Sequence, residues 1–374
     1  MKPNVIFVLL DGCRWDRTNI SNDFKELQSE GTFFNNVTAA IPYTVGAVNV
    51  IFSGLYGKDN GIDAYSKLLS LKDSIKVLPE ILQENGYFTS CDLIHNKIVS
   101  KRGYDIHQAH KSGADYFSIH SELLKKSFEM ASGKPVFTFL HHSLIHDVVV
   151  NEILPKYEYD DKSYYEQKEQ NLARYDKLFL EACSYAKKIK KVIDSMVNSR
   201  DTIIIFLSDH GTASGERFGE RNYGSYTYEE TIRTFYLFIG QKILKKQTSD
   251  KLLSTIDVLP TILDLCGINV NFELPGKSFA NVIKEGITKN HGTKYTFSET
   301  GALHGLYPSP GKPNVFCINT GKYKLIYFET PNEWSLFDLE NDPLEQKNIF
   351  GTGISLEKEL REKLLNWINR ESKY

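Results

Sequence analysis

Four short runs of the chain are apolar almost without interruption, at residues 5–10, 136–140, 202–207 and 235–240. They do not alternate with polar residues, so each predicts a strand buried on both faces, as in a parallel sheet covered by helices. Segments of helical periodicity lie between them, at 77–84 and 121–131. The longest spans 163–198, where Leu172, Tyr175, Phe179, Ala182, Ala186, Ile189, Ile193 and Met196 recur at alternating steps of three and four. That spacing predicts a long crossover helix laying one face on the sheet. A further helix is expected over 255–265, with Pro260 near its start and Gly267 as its stop.

After about residue 295 the texture changes. Residues 315–319, 324–328 and 334–338 read as short strands, with turns at Gly321 and Pro331-Asn332, and a polar helix follows over 355–370. The expected fold is therefore α/β. A mostly parallel central sheet flanked by helices fills residues 1–295, and a small antiparallel β subdomain plus helix, 296–374, packs on it. No internal repeat or low-complexity linker separates the two.

Composition narrows the class. At 374 residues, 41% hydrophobic and 25% charged, the chain suits one large soluble body. A net charge of −2 gives no general attraction to a nucleic acid polymer or an anionic membrane. Cys13, Cys91, Cys183, Cys266 and Cys317 are scattered and read as reduced packing residues. No apolar run approaches the ~18 residues of a membrane span. The opening residues Met1-Lys2-Pro3-Asn4 carry no secretory pattern, which predicts a cytoplasmic protein.

Candidate chemistry gathers at the ends of the apolar runs. Asp11 follows the first run, and Asp209-His210-Gly211 follows the third by way of Ser208. In open α/β sheets the carboxyl ends of strands face the active crevice. A carboxylate beside an imidazole suits a manganese- or zinc-type ion. Thr44 opens the apolar helical stretch 48–52 and could simply cap that helix, or it could join such an ion as ligand and nucleophile. His141, His142 and His146 cluster after the second run, as substrate contacts, as a leaving-group acid, or as ligands to a second ion. His304 sits alone in a glycine-flanked loop, while Arg14 and Lys58 are basic groups available to an anionic substrate.

In their order these segments resemble the sulfatase-like branch of the alkaline-phosphatase superfamily. Residues 8–17 are similar to its first metal-binding strand, 44–61 to its nucleophile helix, and 139–146 to its substrate-side histidine strand. Residues 208–211 with 228–233, and 256–261, are similar to its second metal motif and the helices after it. Residues 323–326 with 337–343 resemble the sulfatase C-terminal subdomain. The departures are Gly12 for a second aspartate, Val48 for an arginine, Gly224 for a lysine, and Thr44 for the cysteine that becomes formylglycine.

The set Asp11, Thr44, Asp209 and His210 resembles the one-metal site of the phosphoglycerol and phosphoethanolamine transferases. That likeness implies a metal-dependent phosphoester hydrolase or phosphotransferase, with phosphodiesters the expected class. Asp11, Thr44, Asp209 and His210 would hold one divalent ion, manganese or zinc ahead of magnesium or calcium. Thr44 would form a phospho-threonine, His141 or His146 would serve the leaving group, and Arg14, Lys58, His142 and His304 would bind a small phosphorylated, sugar-linked or nucleotide-linked substrate. His142 and His146 also match the spacing of the extra pair in two-zinc phosphodiesterases, which leaves a second ion open. The alternatives are a sulfatase or phosphonate hydrolase of the same fold, and a catalytically silent sulfatase-like binding module.

Overall fold

A computed structural model describes residues 1–196, 200–286 and 291–374. In chain order the main sheet draws on β1 (Asn4–Leu10), β2 (Gly31–Thr38), β3 (Phe88–Leu93), β4 (Ile106–Ala109), β5 (Val136–His142), β6 (Thr202–Leu207), β7 (Arg233–Gly240), β8 (Gln247–Ser249) and β9 (Leu253–Ser254). Their spatial order is β4-β3-β5-β1-β6-β7-β2-β8, with β9 also on β2. Parallel pairing runs from β4 through β6, so the carboxyl ends of β1, β5 and β6 share one edge. Strand β7 alone is reversed against both neighbours among the described residues.

Every residue of β1 is buried, which explains its unbroken apolar run. Val5, Phe7 and Leu9 pack on one side, with Val48, Ile51 and Phe52 of the helix Thr44–Ser53. Ile6, Val8 and Leu10 pack on the other, with Phe179, Ala186 and Ile189 of the long helix Lys168–Met196. The helix expected over 163–198 is interrupted at Gln167, and its predicted last residues lie outside the described ones. The helix Thr44–Ser53 is apolar nearly all round because it is enclosed, and Gly54 stops it at φ +65°.

Strands β10 (Thr296–Thr300), β11 (Val315–Asn319), β12 (Tyr323–Phe328) and β13 (Glu333–Asp338) form a separate antiparallel sheet in that order. The helix Leu356–Asn369 packs its Leu360, Leu364 and Trp367 onto Ile318, Leu325 and Leu336 of that sheet. The fold is thus the expected α/β arrangement with a small antiparallel unit and its helix.

One buried ion cluster joins the two sheets. Lys324 Nζ on β12 lies 3.0 Å from Glu229, just ahead of β7, and 2.7 Å from Glu345. All three side chains are buried. Glu230 beside them pairs with Arg217 at 3.0 Å. The Tyr228-Glu229-Glu230 stretch therefore serves to dock the second sheet. Lys324→Met leaves two buried carboxylates without their cation and is expected to cost about 3–5 kcal/mol of stability. Urea unfolding measures this, and an unchanged midpoint would refute the docking role.

Candidate active site

Strand ends bring the acids together. Asp11 directly follows β1, and Asp209 lies two residues beyond the end of β6. Because β1 and β6 are parallel neighbours, both carboxylates reach the same edge. Asp209 Oδ1 accepts from the backbone N–H groups of Gly12 (3.3 Å) and His210 (3.0 Å). Asp11 Oδ2 accepts from His141 Nε2 at 2.8 Å. The remaining oxygens, Asp11 Oδ1 and Asp209 Oδ2, are buried without a hydrogen-bond partner.

The nearby imidazole is already in a ligand form. His210 Nδ1 lies 2.8 Å from the Gly211 carbonyl, so it carries the proton and leaves Nε2 as a lone pair. Nε2 is 3.7 Å from Asp11 Oδ1 and 3.5 Å from Asp209 Oδ2. These ligand atoms of Asp11, Asp209 and His210 lie within 4.8 Å of one another. Two orphaned carboxylate oxygens facing a bare ring nitrogen fit a divalent cation.

Titration follows the same geometry. Burial pushes Asp11 up, but the His141 hydrogen bond above all outweighs it and holds its carboxyl well below the usual range. Burial, followed by the charge of Asp11, raises Asp209 to about 6. The site resists a second negative charge until a cation arrives.

Thr44 is the first residue of its helix, and Tyr43 takes the capping position. Its Oγ1 lies 3.3 Å from Asp11 Oδ2 and 3.2 Å from His210 Nε2. The hydroxyl thus turns into the acidic cluster and does no capping. Gly12 adopts φ +67°, and a Cβ built there would lie 2.6 Å from Thr212 Oγ1, so glycine makes this left-handed turn without strain or a shift of Thr212.

The other sequence candidates are scattered by the fold. His141 orients Asp11, while a hydrogen bond from the Ile94 N–H (3.5 Å) reaches its Nδ1. His146 Nδ1 shares a hydrogen bond with Tyr223 OH at 2.8 Å. Burial lowers the pKa of His146, keeping the ring neutral. His142 points to the opposite face of the sheet, stacked on Tyr185 at 4.2 Å. Burial, then the neighbouring imidazoles, lower its pKa to about 3. Arg14 is taken up by Asp16 (2.9 Å) and Glu216 (2.5 Å), and Lys58 Nζ donates to the Ile368 carbonyl at 2.9 Å. Both cations are spent on structure rather than aimed at the acids. His304 lies at an exposed loop lining a cavity of about 200 Å³ that His146 and Tyr223 also line.

Tyr223 escaped sequence reasoning. Its ring lies 4.4 Å from that of His210 while its hydroxyl fixes His146. A tyrosine in a serine- and glycine-rich loop carries no periodic signal. His146 also lines a larger, mainly apolar cavity of about 590 Å³ with Val45, Leu68 and Ile94.

Comparison with known proteins gives the family. Residues 3–268 match the Sulfatase family, and residues 220–371 match the N-sulphoglucosamine sulphohydrolase C-terminal family. A delta 4,5-hexuronate-2-O-sulfatase of Bacteroides thetaiotaomicron is 30% identical over 176 residues, covering 44% of this chain and 35% of that protein. An N-acetylglucosamine-6-O-sulfatase of the same organism is 32% identical over 158 residues, covering 40% of this chain and 27% of that protein. The match thus spans about a third of the length of these curated relatives. A protein solved with its substrate D-glucosamine-2-N,6-O-disulfate superposes with a TM-score of 0.76 at 19% identity, covering 100% of both chains. These sulfatase relatives overturn the expectation of a phosphoester hydrolase or phosphotransferase, which rested on Thr44 and on the departures at Gly12, Val48 and Gly224. A threonine at this position does not decide between a phosphorus and a sulfur ester, because both present a tetrahedral oxyanion. With the family matched over residues 3–268, this chain belongs to the sulfatase family.

Proposed function

We propose that this protein is a metal-dependent sulfuric ester hydrolase acting on a small sulfated, sugar-linked substrate. The observation that carries the reading is the convergence of Asp11, Thr44, Asp209 and His210 at the sheet edge of a sulfatase-family chain. Asp11 Oδ1, Asp209 Oδ2 and His210 Nε2 would hold the ion, with Thr44 Oγ1 beside them. A bound divalent ion supplies Lewis acidity toward the sulfate oxygens and lowers the pKa of a neighbouring hydroxyl.

Thr44 cannot follow the formylglycine route. Its β-carbon carries a methyl group, so oxidation there stops at a ketone and gives no aldehyde hydrate. Its hydroxyl is instead placed to attack directly. The proton passes to Asp11 Oδ2, 3.3 Å away, which His141 holds in position. The oxygen forms a bond to sulfur as the ester oxygen leaves, and that leaving oxygen accepts a hydrogen bond from His146 and takes a proton from solvent. Tyr223 OH, 2.8 Å from Nδ1, holds the His146 ring in place. Water then hydrolyses the sulfo-threonine, returning the hydroxyl and releasing sulfate.

A second reading, a sulfated-sugar-binding module without turnover, is favoured by Thr44 itself and by the capture of Arg14 and Lys58 in structural contacts. Turnover of 4-nitrophenyl sulfate and of glucosamine 6-sulfate, with manganese or calcium, separates the two. Thr44→Ala is expected to lower kcat by at least about 10³-fold while circular dichroism stays unchanged. Near-normal turnover in that variant would remove Thr44 from the mechanism; calorimetric binding without turnover in the native chain would select the binding module.

Removal of the ion is the other expectation. Dialysis against a chelator should abolish turnover and lower Tm, because the ion relieves two buried carboxylates. Restored activity on adding back one metal identifies it. Full activity in chelator would contradict the assigned ligand set.

A further inference from the structure

A second group of potential ligands lies on the face of the main sheet opposite Thr44. Even-numbered positions of β3 turn toward the helix Tyr116–Met130: Ser90 receives a hydrogen bond from Ser127 Oγ at 2.8 Å, and Asp92 reaches His120. Asp92 Oδ2 lies 3.0 Å from His120 Nε2 and 2.6 Å from Nδ1 of His110, which directly follows β4. All three residues are buried. His120 belongs to the stripe of its helix that also buries Tyr116, Leu123 and Leu124, where an apolar residue would be ordinary.

The outer ring nitrogens are supported in a particular way. His110 Nε2 meets Ser143 Oγ at 3.0 Å, and His120 Nδ1 meets Tyr185 OH at 2.5 Å. A hydroxyl both donates and accepts. With no ion, both rings carry their inner proton toward Asp92, and the two hydroxyls donate to the outer nitrogens. In the other tautomer the inner nitrogens become lone pairs, and the same hydroxyls accept from the outer N–H groups. The exchange moves one proton from one nitrogen to the other within each ring and releases none. An outer hydrogen-bond acceptor is what metal-binding histidines require.

The protonation states agree with this geometry. Burial pushes Asp92 up, but its hydrogen bonds to His110 and His120 bring it down to about 2. Burial lowers the pKa of His120, so that ring is neutral at ordinary pH. A carboxylate and a neutral imidazole are the forms that bind metal.

We propose that Asp92, His110 and His120 form a second divalent-metal site, suited to a zinc-type ion by its two nitrogens and one oxygen. The three ligand atoms lie within 4.8 Å of one another. Zinc bonds of about 2.0–2.1 Å set tetrahedral ligands roughly 3.3 Å apart, so the two Asp92 contacts open by less than about 1 Å. The entry path is a cavity of about 360 Å³ lined by Asp92, His110, Gln108, Glu122 and Lys126, which also has room for a water as fourth ligand. The site is separate from the Asp11 cluster, although the His110 and His141 rings approach to 6.4 Å across the sheet edge. Its ion would tie β3, the segment after β4 and the helix Tyr116–Met130 together under the strand that delivers His141.

Metal counting tests this. The native chain loaded with zinc or cobalt is expected to hold two ions, and Asp11→Asn/Asp209→Asn to hold one. The cobalt in that double variant should show the strong visible absorption of a four-coordinate site. Adding His120→Gln should abolish it, while Tyr185→Phe, which removes only the outer acceptor, should weaken zinc binding about 10-fold. A double variant that is folded by circular dichroism yet binds neither zinc nor cobalt overturns the site, as does a remaining ion indifferent to His120→Gln. Should the double variant not fold, X-ray absorption on the native chain decides: two ions per chain with histidine scattering at both supports the site, and a single ion overturns it.

Discussion

Two buried carboxylates held side by side are the constraint around which this molecule is arranged. Asp11 and Asp209 cannot be separated without breaking the pairing of β1 with β6, because each follows one of those strands within two residues. Parallel pairing delivers both to the same edge and leaves an oxygen of each without a protein donor. The groups around them answer that strain. His141 neutralises part of the field of Asp11, the N–H groups of Gly12 and His210 cradle Asp209, and the His210 lone pair completes a cation-binding face.

The same constraint orders the shells outside it. Thr44 reaches the acids only because its helix is apolar on nearly every side and sinks into the core against β1. Tyr223 closes over His210 and hydrogen-bonds His146 from a loop that precedes β7. That loop runs into Glu229, whose charge is met by Lys324 of the second sheet. A continuous set of contacts thus runs from the C-terminal unit to the rim of the site.

Much of this was legible before any coordinates. The apolar runs gave β1, β5, β6 and β7 to within a few residues, since a strand buried on both faces has no polar side to disguise it. Strands β2, β3, β4, β8, β9 and β10 were missed, and three of them show why. Strand β2 carries Asn35 and Asn36 at an irregularity between Phe34 and Val37, β4 is half-exposed, and β10 buries Thr296, Ser298 and Thr300 against polar partners. The acids and His210 were legible because they end apolar strands. The burial of Arg14, the diversion of Lys58 and the outward turn of His142 were not. Local sequence carries neither the ion pair that claims a cation nor the face to which a strand position points. Activity was misjudged because one threonine was allowed to stand for a whole substrate class, where the ordered relatives spoke for sulfate.

The left-handed turn at Gly12 has a further effect on charge. With glycine there, that position adds no third carboxylate to the cluster. Two carboxylates and one dication then sum to zero, and Arg14 is already neutralised by its own acids. Such a centre has no surplus positive charge to offset a doubly charged guest. A sulfate ester brings a single negative charge, whereas a phosphate monoester at neutral pH brings nearly two. Glycine at this turn thus keeps the cluster's own charge to that of two acids, which a single dication would balance.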